Sequence, residues 1–310
     1  MEFLSYMWAA FGQVAILAVL VVLGYICDKT KLYGQDTSRR CNDLLFYIIT
    51  PAVIINSFLN VEFNWESGLS FLSALLVFAV FHGVVALLVL PLYKKAGQDR
   101  SIFQFATLFG NVGYMGLPLA KAVAGDLGVF YASAGVAVFN IFAFTFGIRL
   151  MDQSGGKFQL KKLILNPGSI GILIGVPLFL LKVKLPALIG TPLDYVGSLN
   201  TPMAMIMFGT YLANTDLLGM FRKKENYGVA ALKLLILPLA GIGILWLCGV
   251  RGTLLVTAAV LFSAPTANNT VMFSAKYGRD TGVASKVCGL TSVLSIITMP
   301  VCIALADLLG

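Results

Sequence analysis

Two charge-free hydrophobic segments of the chain, residues 101–120 and 252–275, are each interrupted near the middle by residues that disfavour a helix. The interrupting residues are Gly110, Gly113, Pro118 and Pro265. Glycine and proline disrupt the ladder of helical hydrogen bonds, and polar amides stand beside them at Asn111, Asn268 and Asn269. Backbone groups freed in hydrocarbon cost several kcal/mol each unless protein or a water-filled cavity surrounds them. Paired breaks of this kind predict a binding site for a transported solute.

The chemistry that the two breaks offer is recognition of an anion. If the segments cross, their second halves begin near residues 113–115 and 266–268 at the same depth, so two helix N-termini meet. Each N-terminus has unpaired N–H groups and about half a positive charge, an arrangement that binds phosphates and carboxylates. The predicted substrate-binding residues are Asn111, Gly113, Tyr114, Met115, Thr266, Asn268, Asn269 and Asn140. The alternative is that the asparagines only cap backbone groups at two kinks.

Three polar side chains in the hydrophobic segments have two interpretations each. Asn140 faces the anion site, or it bridges two helices by hydrogen bonding. His82 is a paired structural residue, which we favour, or part of a proton relay. Lys233 attracts anions, or it extends its amine to the lipid headgroups from roughly two turns inside the segment, which we favour.

The composition is that of an integral membrane protein. Of the 310 residues, 58% are hydrophobic and only 12% are charged, whereas soluble domains typically carry about 25% charged residues. The net charge of +8 comes from Lys and Arg in short connectors without interleaved aromatics, which argues against nucleic acid as a partner. The five scattered cysteines include no CxxC pair, so neither a metal site nor a disulfide framework is expected. No cofactor is predicted. No P-loop, HExxH or GxSxG motif indicates an enzyme.

The apolar runs predict ten transmembrane helices. The predicted spans lie near residues 9–27, 42–60, 68–93, 101–120, 128–149, 164–182, 195–213, 227–249, 252–275 and 282–308. With this count, 17 of the 22 Lys and Arg residues fall in connectors on one side. The positive-inside rule makes that side cytoplasmic and puts both termini outside, with the inner (plasma) membrane as the expected location.

The chain also divides into two related halves. Residues 1–150 and 164–310 each contain five spans, and residues 151–163 form a cytoplasmic connector. Thr-Pro occurs at 50–51 and again at 201–202, an offset of 151 that agrees with the offset of 154 between the breaks. Because five is an odd number, the second repeat must be inverted in the membrane. The predicted fold is therefore all-α and polytopic, with two inverted five-helix repeats and crossed, broken helices four and nine.

The residues at the two breaks also resemble a known family, the auxin efflux carriers. The segment GNVGYMGLPL (110–119) is similar to that family's fourth-helix signature. The segments APTANNTVM (264–272), YGRD (277–280) and SVLSIITMP (292–300) are similar to its C-terminal signature, and residues 44–51 and 233–238 fit the same pattern. The similarity extends over essentially the whole chain, and the short central connector resembles the compact microbial members.

This resemblance implies ten helices in two inverted repeats, an architecture shared with bile-acid symporters and sodium/proton antiporters. It further implies that spans 3–5 and 8–10 move like an elevator against spans 1, 2, 6 and 7, which would also form a homodimer. The substrates of the family are organic anions such as indole-3-acetate, malate and malonate. Asn111, Asn268 and Asn269 match the crossover asparagines that bind the carboxylate.

Together these observations predict a secondary carrier of small organic anions. Spans 3, 4, 5, 8 and 9 contain no Asp or Glu, and the ninth span lacks the glutamate on which bile-acid-type sodium sites depend. A membrane-embedded carboxylate is the usual device for ion coupling, so we expect electrogenic export without a coupled ion. The alternatives are a sodium- or proton-coupled symporter of the same fold, a channel, and a membrane sensor that does not transport.

Overall fold

The computed structural model describes residues 2–32, 34–152, 165–214, 219–221 and 224–310. Residues 153–163 of the predicted connector lie outside this part of the chain. The described residues are helical, and the only β pairing among them is a single antiparallel bridge between Gly110 and Thr266. The prediction of an all-α membrane protein is thereby confirmed in its helical content.

The α-helices are numbered here in chain order. In the first half they are α1 (Glu2–Lys29), α2 (Gln35–Leu44), α3 (Thr50–Leu59), α4 (Trp65–Val89), α5 (Arg100–Leu108), α6 (Leu117–Phe142) and α7 (Ile148–Met151). In the second half they are α8 (Pro167–Leu180), α9 (Ala187–Ser198), α10 (Asn200–Ala213), α11 (Lys224–Ala231), α12 (Leu237–Leu247), α13 (Gly252–Ser263), α14 (Asn269–Lys276) and α15 (Thr281–Leu309).

In the part of the chain that the structure describes, four wider π turns interrupt or join these helices. They are Leu45–Ile49, Val112–Gly116, Ala143–Gly147 and Leu232–Ile236. Three of them are followed, two residues later, by a proline: Pro51, Pro118 and Pro238. A proline has no N–H to donate, and its ring clashes with the carbonyl four residues earlier, so a wider turn before it relieves the clash. Such π turns change the direction of the side chains around them and are frequent at functional sites.

Among the described residues, four helical stretches are long and apolar enough to cross a membrane: Trp65–Val89, Val112–Met151, Lys224–Leu247 and Thr281–Leu309. Leu45–Leu59, Pro167–Leu180 and Gly252–Ser263 are apolar but shorter. Helix lies at all ten predicted span positions, but the count of ten crossings stays a prediction. The second half of the predicted fourth span continues directly into the fifth, and non-helical backbone at Gly125 separates the two helices. Gly125 has a φ of 63°, which glycine adopts without strain.

Two pairs of helices pack closely outside the breaks. Helix α1 packs along α10, and α3 packs along α8. In the first pair the backbones approach directly, since a Cβ built on Gly209 would lie 2.0 Å from the carbonyl oxygen of Val21. Small residues at such contacts are typical of membrane helices. Helices α4 and α13 pack on α6, and α15 packs on both α1 and α13, so the two broken segments lie inside the bundle.

Candidate functional site: the crossing of the two broken segments

The two breaks meet in the structure through main-chain hydrogen bonds. The N–H of Asn111 donates to the carbonyl of Pro265 at 2.6 Å, and the N–H of Ala267 donates to the carbonyl of Phe109 at 2.9 Å. These bonds form the antiparallel bridge between Gly110 and Thr266. Each broken segment therefore satisfies backbone groups that the other break leaves free, which is the condition for non-helical backbone at membrane depth.

Thr266 fixes this crossing from a completely buried position. Its Oγ1 donates to the carbonyl of Ala106 at 3.0 Å, and its N–H donates to Oγ1 of Thr291 at 3.2 Å. The side chain is 0% exposed. The structure thus places Thr266 as a contact between α5, the second break and α15, and not on the surface of a cavity.

A cavity of about 50 Å³ lies beside the crossing. Its walls are Phe46, Thr50, Gly110, Asn111, Val112, Gly113, Tyr114, Val136, Phe139, Asn140, Asn166, Gly168, Ala267 and Asn269. Four of these residues are asparagines, and none is acidic or basic. Gly113 and Asn269 belong to the first turns of the two second halves, where N–H groups lack helical partners. The cavity therefore combines two helix N-termini with neutral amide groups.

Asn111 caps a helix and also lines the cavity. Its Oδ1 accepts a hydrogen bond from the N–H of Tyr114 at 3.3 Å, and its main-chain carbonyl accepts from Met115 and Gly116. It therefore caps the second half of the first broken segment. The same side chain is 4% exposed and lines the cavity, while Tyr114 stacks against Phe46 with ring centroids 6.1 Å apart.

Asn140 likewise both lines the cavity and bridges helices. Its Nδ2 donates to Oδ1 of Asn166 at 3.1 Å and lies 3.4 Å from Oγ of Ser169. Oδ1 of Asn166 also accepts from the N–H of Gly168 at 3.0 Å and caps α8. Sequence reasoning missed Asn166. Its signal was the Asn-Pro pair at the start of a helix, where asparagine is a favoured N-cap and proline a favoured first residue.

Besides Thr266, two further predicted site residues do not reach this cavity. Met115 lines a separate apolar cavity of about 40 Å³, together with residues of α1, α10 and α15. Asn268 precedes α14, and its main-chain carbonyl accepts from the N–H groups of Val271 and Met272. Asn268 is half-buried, and it is Asn269 that lines the cavity next to the crossing.

The structure also shows where the two titratable side chains lie for which the sequence allowed two roles each. His82 is buried, its Nδ1 lies 2.9 Å from the carbonyl of Phe78, and its ring packs on Phe142. Lys233 is only 2% exposed, and its Nζ donates to the carbonyl of Phe262 at 3.5 Å. The favoured expectation that Lys233 reaches the lipid headgroups is wrong, because its amine ends beside the crossing in the interior of the bundle.

Apolar helices around a polar crossing of two broken segments are typical of membrane transporters. The chain matches the family described as membrane transport protein over residues 9–162 and 156–303. It belongs to that family, which confirms the resemblance to the auxin efflux carriers. It is therefore an integral membrane protein and a transporter.

Curated relatives match over almost the whole chain. An uncharacterized transporter of Methanothermobacter thermautotrophicus is 25% identical over 91% of this chain and 93% of its own length. An uncharacterized transporter of Methanocaldococcus jannaschii is 24% identical over 92% of this chain and 95% of its own. A Rhizobium meliloti protein, provisionally named a malonate transporter, is 25% identical over 90% of both chains.

Proposed function

We propose that this protein is a secondary carrier that exports small organic anions, with a carboxylate bound in the cavity at the crossing. The observation that carries the proposal is the set of neutral amides in this cavity: Asn111, Asn140, Asn166 and Asn269. An enclosed anion needs hydrogen-bond donors, because an unpaired buried charge is very costly. Amide nitrogens supply donors without adding charge to the protein.

The helix ends supply the electrostatic part of the binding. Two N-termini at the cavity carry roughly half a positive charge each, so together they complement one carboxylate. The cavity also has aromatic walls at Phe46, Tyr114 and Phe139, against which a short carbon chain packs. The provisional name of the Rhizobium meliloti relative points to malonate, and we take malonate as the first substrate to test.

The position of the cavity supports an elevator type of alternating access. The proposed scaffold (spans 1, 2, 6 and 7) contributes Phe46, Thr50 and Asn166 to the cavity wall. The proposed moving part (spans 3–5 and 8–10) contributes Asn111, Asn140 and Asn269. A substrate at this boundary would bridge the two parts through the Asn140–Asn166 contact. Relative movement of the two parts would then break that contact and carry the anion, held by the crossing, toward the other side.

The membrane potential is sufficient to drive export. None of the described residues that line the cavity is acidic, so they offer no carboxylate to exchange a proton or to hold a sodium ion. A charge that moves through 100 mV gains about 2.3 kcal/mol. In a plasma membrane that is negative inside, an anion would therefore leave the cell without a coupled ion.

A thermal-shift panel of carboxylates on the purified protein tests the substrate class. A ligand at 100 times its dissociation constant stabilises the folded state by about 2.7 kcal/mol, so malonate or a similar acid should raise the melting temperature while its amide should not. A potassium–valinomycin potential across proteoliposomes should then drive flux of the same acid. Flux that requires a sodium or pH gradient would favour a coupled symporter, and binding without flux would favour a sensor.

A further inference from the structure

Lys233 is a buried charge that the proposed carboxylate site does not use. It lies on the π turn Leu232–Ile236 and is 2% exposed. The only ion pair within the described parts of the chain joins Lys121 and Asp126, so Lys233 has no carboxylate partner there. Because an uncompensated ammonium in the interior is strongly unfavourable, a charged Lys233 requires a stabilising partner other than an acidic side chain.

The ammonium lies against the carbonyl side of the crossing. Nζ donates to the carbonyl of Phe262 at 3.5 Å, in the last turn of α13. A Cβ built on Gly110 would lie 2.9 Å from Nζ and 3.2 Å from the carbonyl oxygen of Ala264. Gly110 therefore leaves the room that lets the lysine reach this point, where the first halves of both broken segments end.

The charges at the crossing balance when the lysine is counted. Helices α5 and α13 end here at Leu108 and Ser263, and a helix C-terminus carries about −0.5 of a charge. Two such ends amount to about −1, which one ammonium neutralises. The two N-termini of the second halves adjoin the cavity instead, so their positive potential remains available to an anion.

We propose that Lys233 is a built-in cation: its ammonium occupies the position at which the crossing would otherwise bind a monovalent metal ion such as sodium. Backbone carbonyl oxygens are the ligands that hard cations prefer, and the lysine brings its own charge to them. The protein therefore needs no sodium to assemble its anion site. This inference rests on the crossing as the proposed transport site, but cation binding can be tested without any substrate.

The first test measures cation binding by thermal stability in the absence of carboxylate. Wild type should melt at the same temperature in sodium chloride and in choline chloride of equal ionic strength. Lys233→Ala, which removes the ammonium and leaves space, should melt lower in choline and recover in sodium. Lys233→Met, which fills the space without charge, should not respond to sodium.

A sodium-dependent rise in the melting temperature of wild type would overturn the proposal. The proposal would also fail if folded Lys233→Ala gave the same melting temperature in sodium chloride and in choline chloride. If Lys233→Ala can be purified only in sodium, the proposal is supported. If it cannot be purified in either salt while Lys233→Met is stable in both, the charge is not required and the proposal is wrong.

The second test measures flux of a carboxylate that wild type transports. Flux through Lys233→Ala in choline should fall at least about tenfold, equivalent to about 1.4 kcal/mol of barrier height, and sodium should restore it. Lys121→Ala is the matched control, since it removes a lysine from an exposed ion pair, and its flux should equal that of wild type. Equal flux through Lys233→Ala in both salts would contradict the proposal. Failure to find any transported carboxylate would instead contradict the proposed function and leave the melting test valid.

Discussion

The two sides of the crossing differ in chemistry although they are built from the same two breaks. On one side the second halves begin, and four asparagines line an open cavity with no charged residue. On the other side the first halves end, and the amine of Lys233 lies beside Gly110 and donates to the carbonyl of Phe262. Helix ends of opposite polarity are therefore separated by only a few residues. In our proposal the lysine neutralises one pair of ends and leaves the other pair available for a ligand.

The largest expected effect comes from placing a negative charge on the cavity side. Asn111→Asp keeps the oxygen that accepts from the N–H of Tyr114, so the cap and the fold should persist. The new carboxylate would repel an anion by several kcal/mol, and transport should fall at least about 100-fold, or about 2.7 kcal/mol. Uptake into proteoliposomes measures the loss of transport, and a melting curve shows whether the fold persists. Asn111→Ser is the neutral control that still caps, and equal flux through the serine and aspartate variants would contradict this account.

A smaller effect should separate the two adjacent asparagines of the second break. Asn269 lines the cavity and Asn268 does not, so Asn269→Ala should reduce the affinity for substrate about tenfold, as expected from the loss of roughly 1.4 kcal/mol of hydrogen bonding. Asn268→Ala should change it by less than about threefold. Dissociation constants from thermal-shift titrations measure both variants. A larger loss of affinity for Asn268→Ala than for Asn269→Ala would indicate that Asn268, and not Asn269, binds the substrate.

Replacing Thr266 should lower the stability of the protein more than its affinity for substrate. Its hydroxyl group joins the second break to Ala106 from a fully buried position. Thr266→Val keeps the volume but leaves that carbonyl without its partner, which costs about 1–3 kcal/mol. Thr298→Val is the control, because Oγ1 of Thr298 bonds only to Leu294 within the same helix. Equal melting temperatures for the two variants would show that the Thr266 bond does not hold the crossing.

The smallest expected effect concerns the contact between the proposed scaffold and the proposed moving part. A double-mutant cycle with Asn140→Ala and Asn166→Ala should give a coupling energy of about 0.6 kcal/mol, the average for hydrogen bonds between membrane helices. Each single variant should also weaken substrate binding, since both side chains line the cavity. A coupling energy near zero would indicate that the 3.1 Å contact does not bridge the two parts energetically.

The meeting of the breaks could be predicted from sequence because glycine, proline and asparagine act locally. The structure brings Gly110 and Thr266 together, as the matching offsets suggested. The direction in which each residue at the breaks points could not be predicted in the same way. Successive residues of an α-helix point about 100° apart, and a π turn changes that angle locally. The π turn at Val112–Gly116 therefore determines that Gly113 lines the cavity at the crossing and Met115 lines the separate apolar cavity.

The direction of the Lys233 side chain was predicted wrongly, and Asn166 was missed, for a related reason. The direction of the Lys233 side chain depends on the π turn at Leu232–Ile236 and on the space beside Gly110, which is more than 100 residues away in the chain. Asn166 stands at the edge of a predicted span, where an N-cap is the ordinary interpretation. Only the packing of α8 against the rest of the bundle brings it to Asn140.

Counterflow of labelled malonate in proteoliposomes tests most directly whether the cavity at the crossing carries an anion. Vesicles loaded with unlabelled malonate should accumulate the label transiently and saturably with wild type in choline buffer, and not with Asn111→Asp. Accumulation that is equal in the two proteins would contradict the assignment of the site. An absence of counterflow with malonate and with every acid that raises the melting temperature would contradict the proposal that this protein is a carrier.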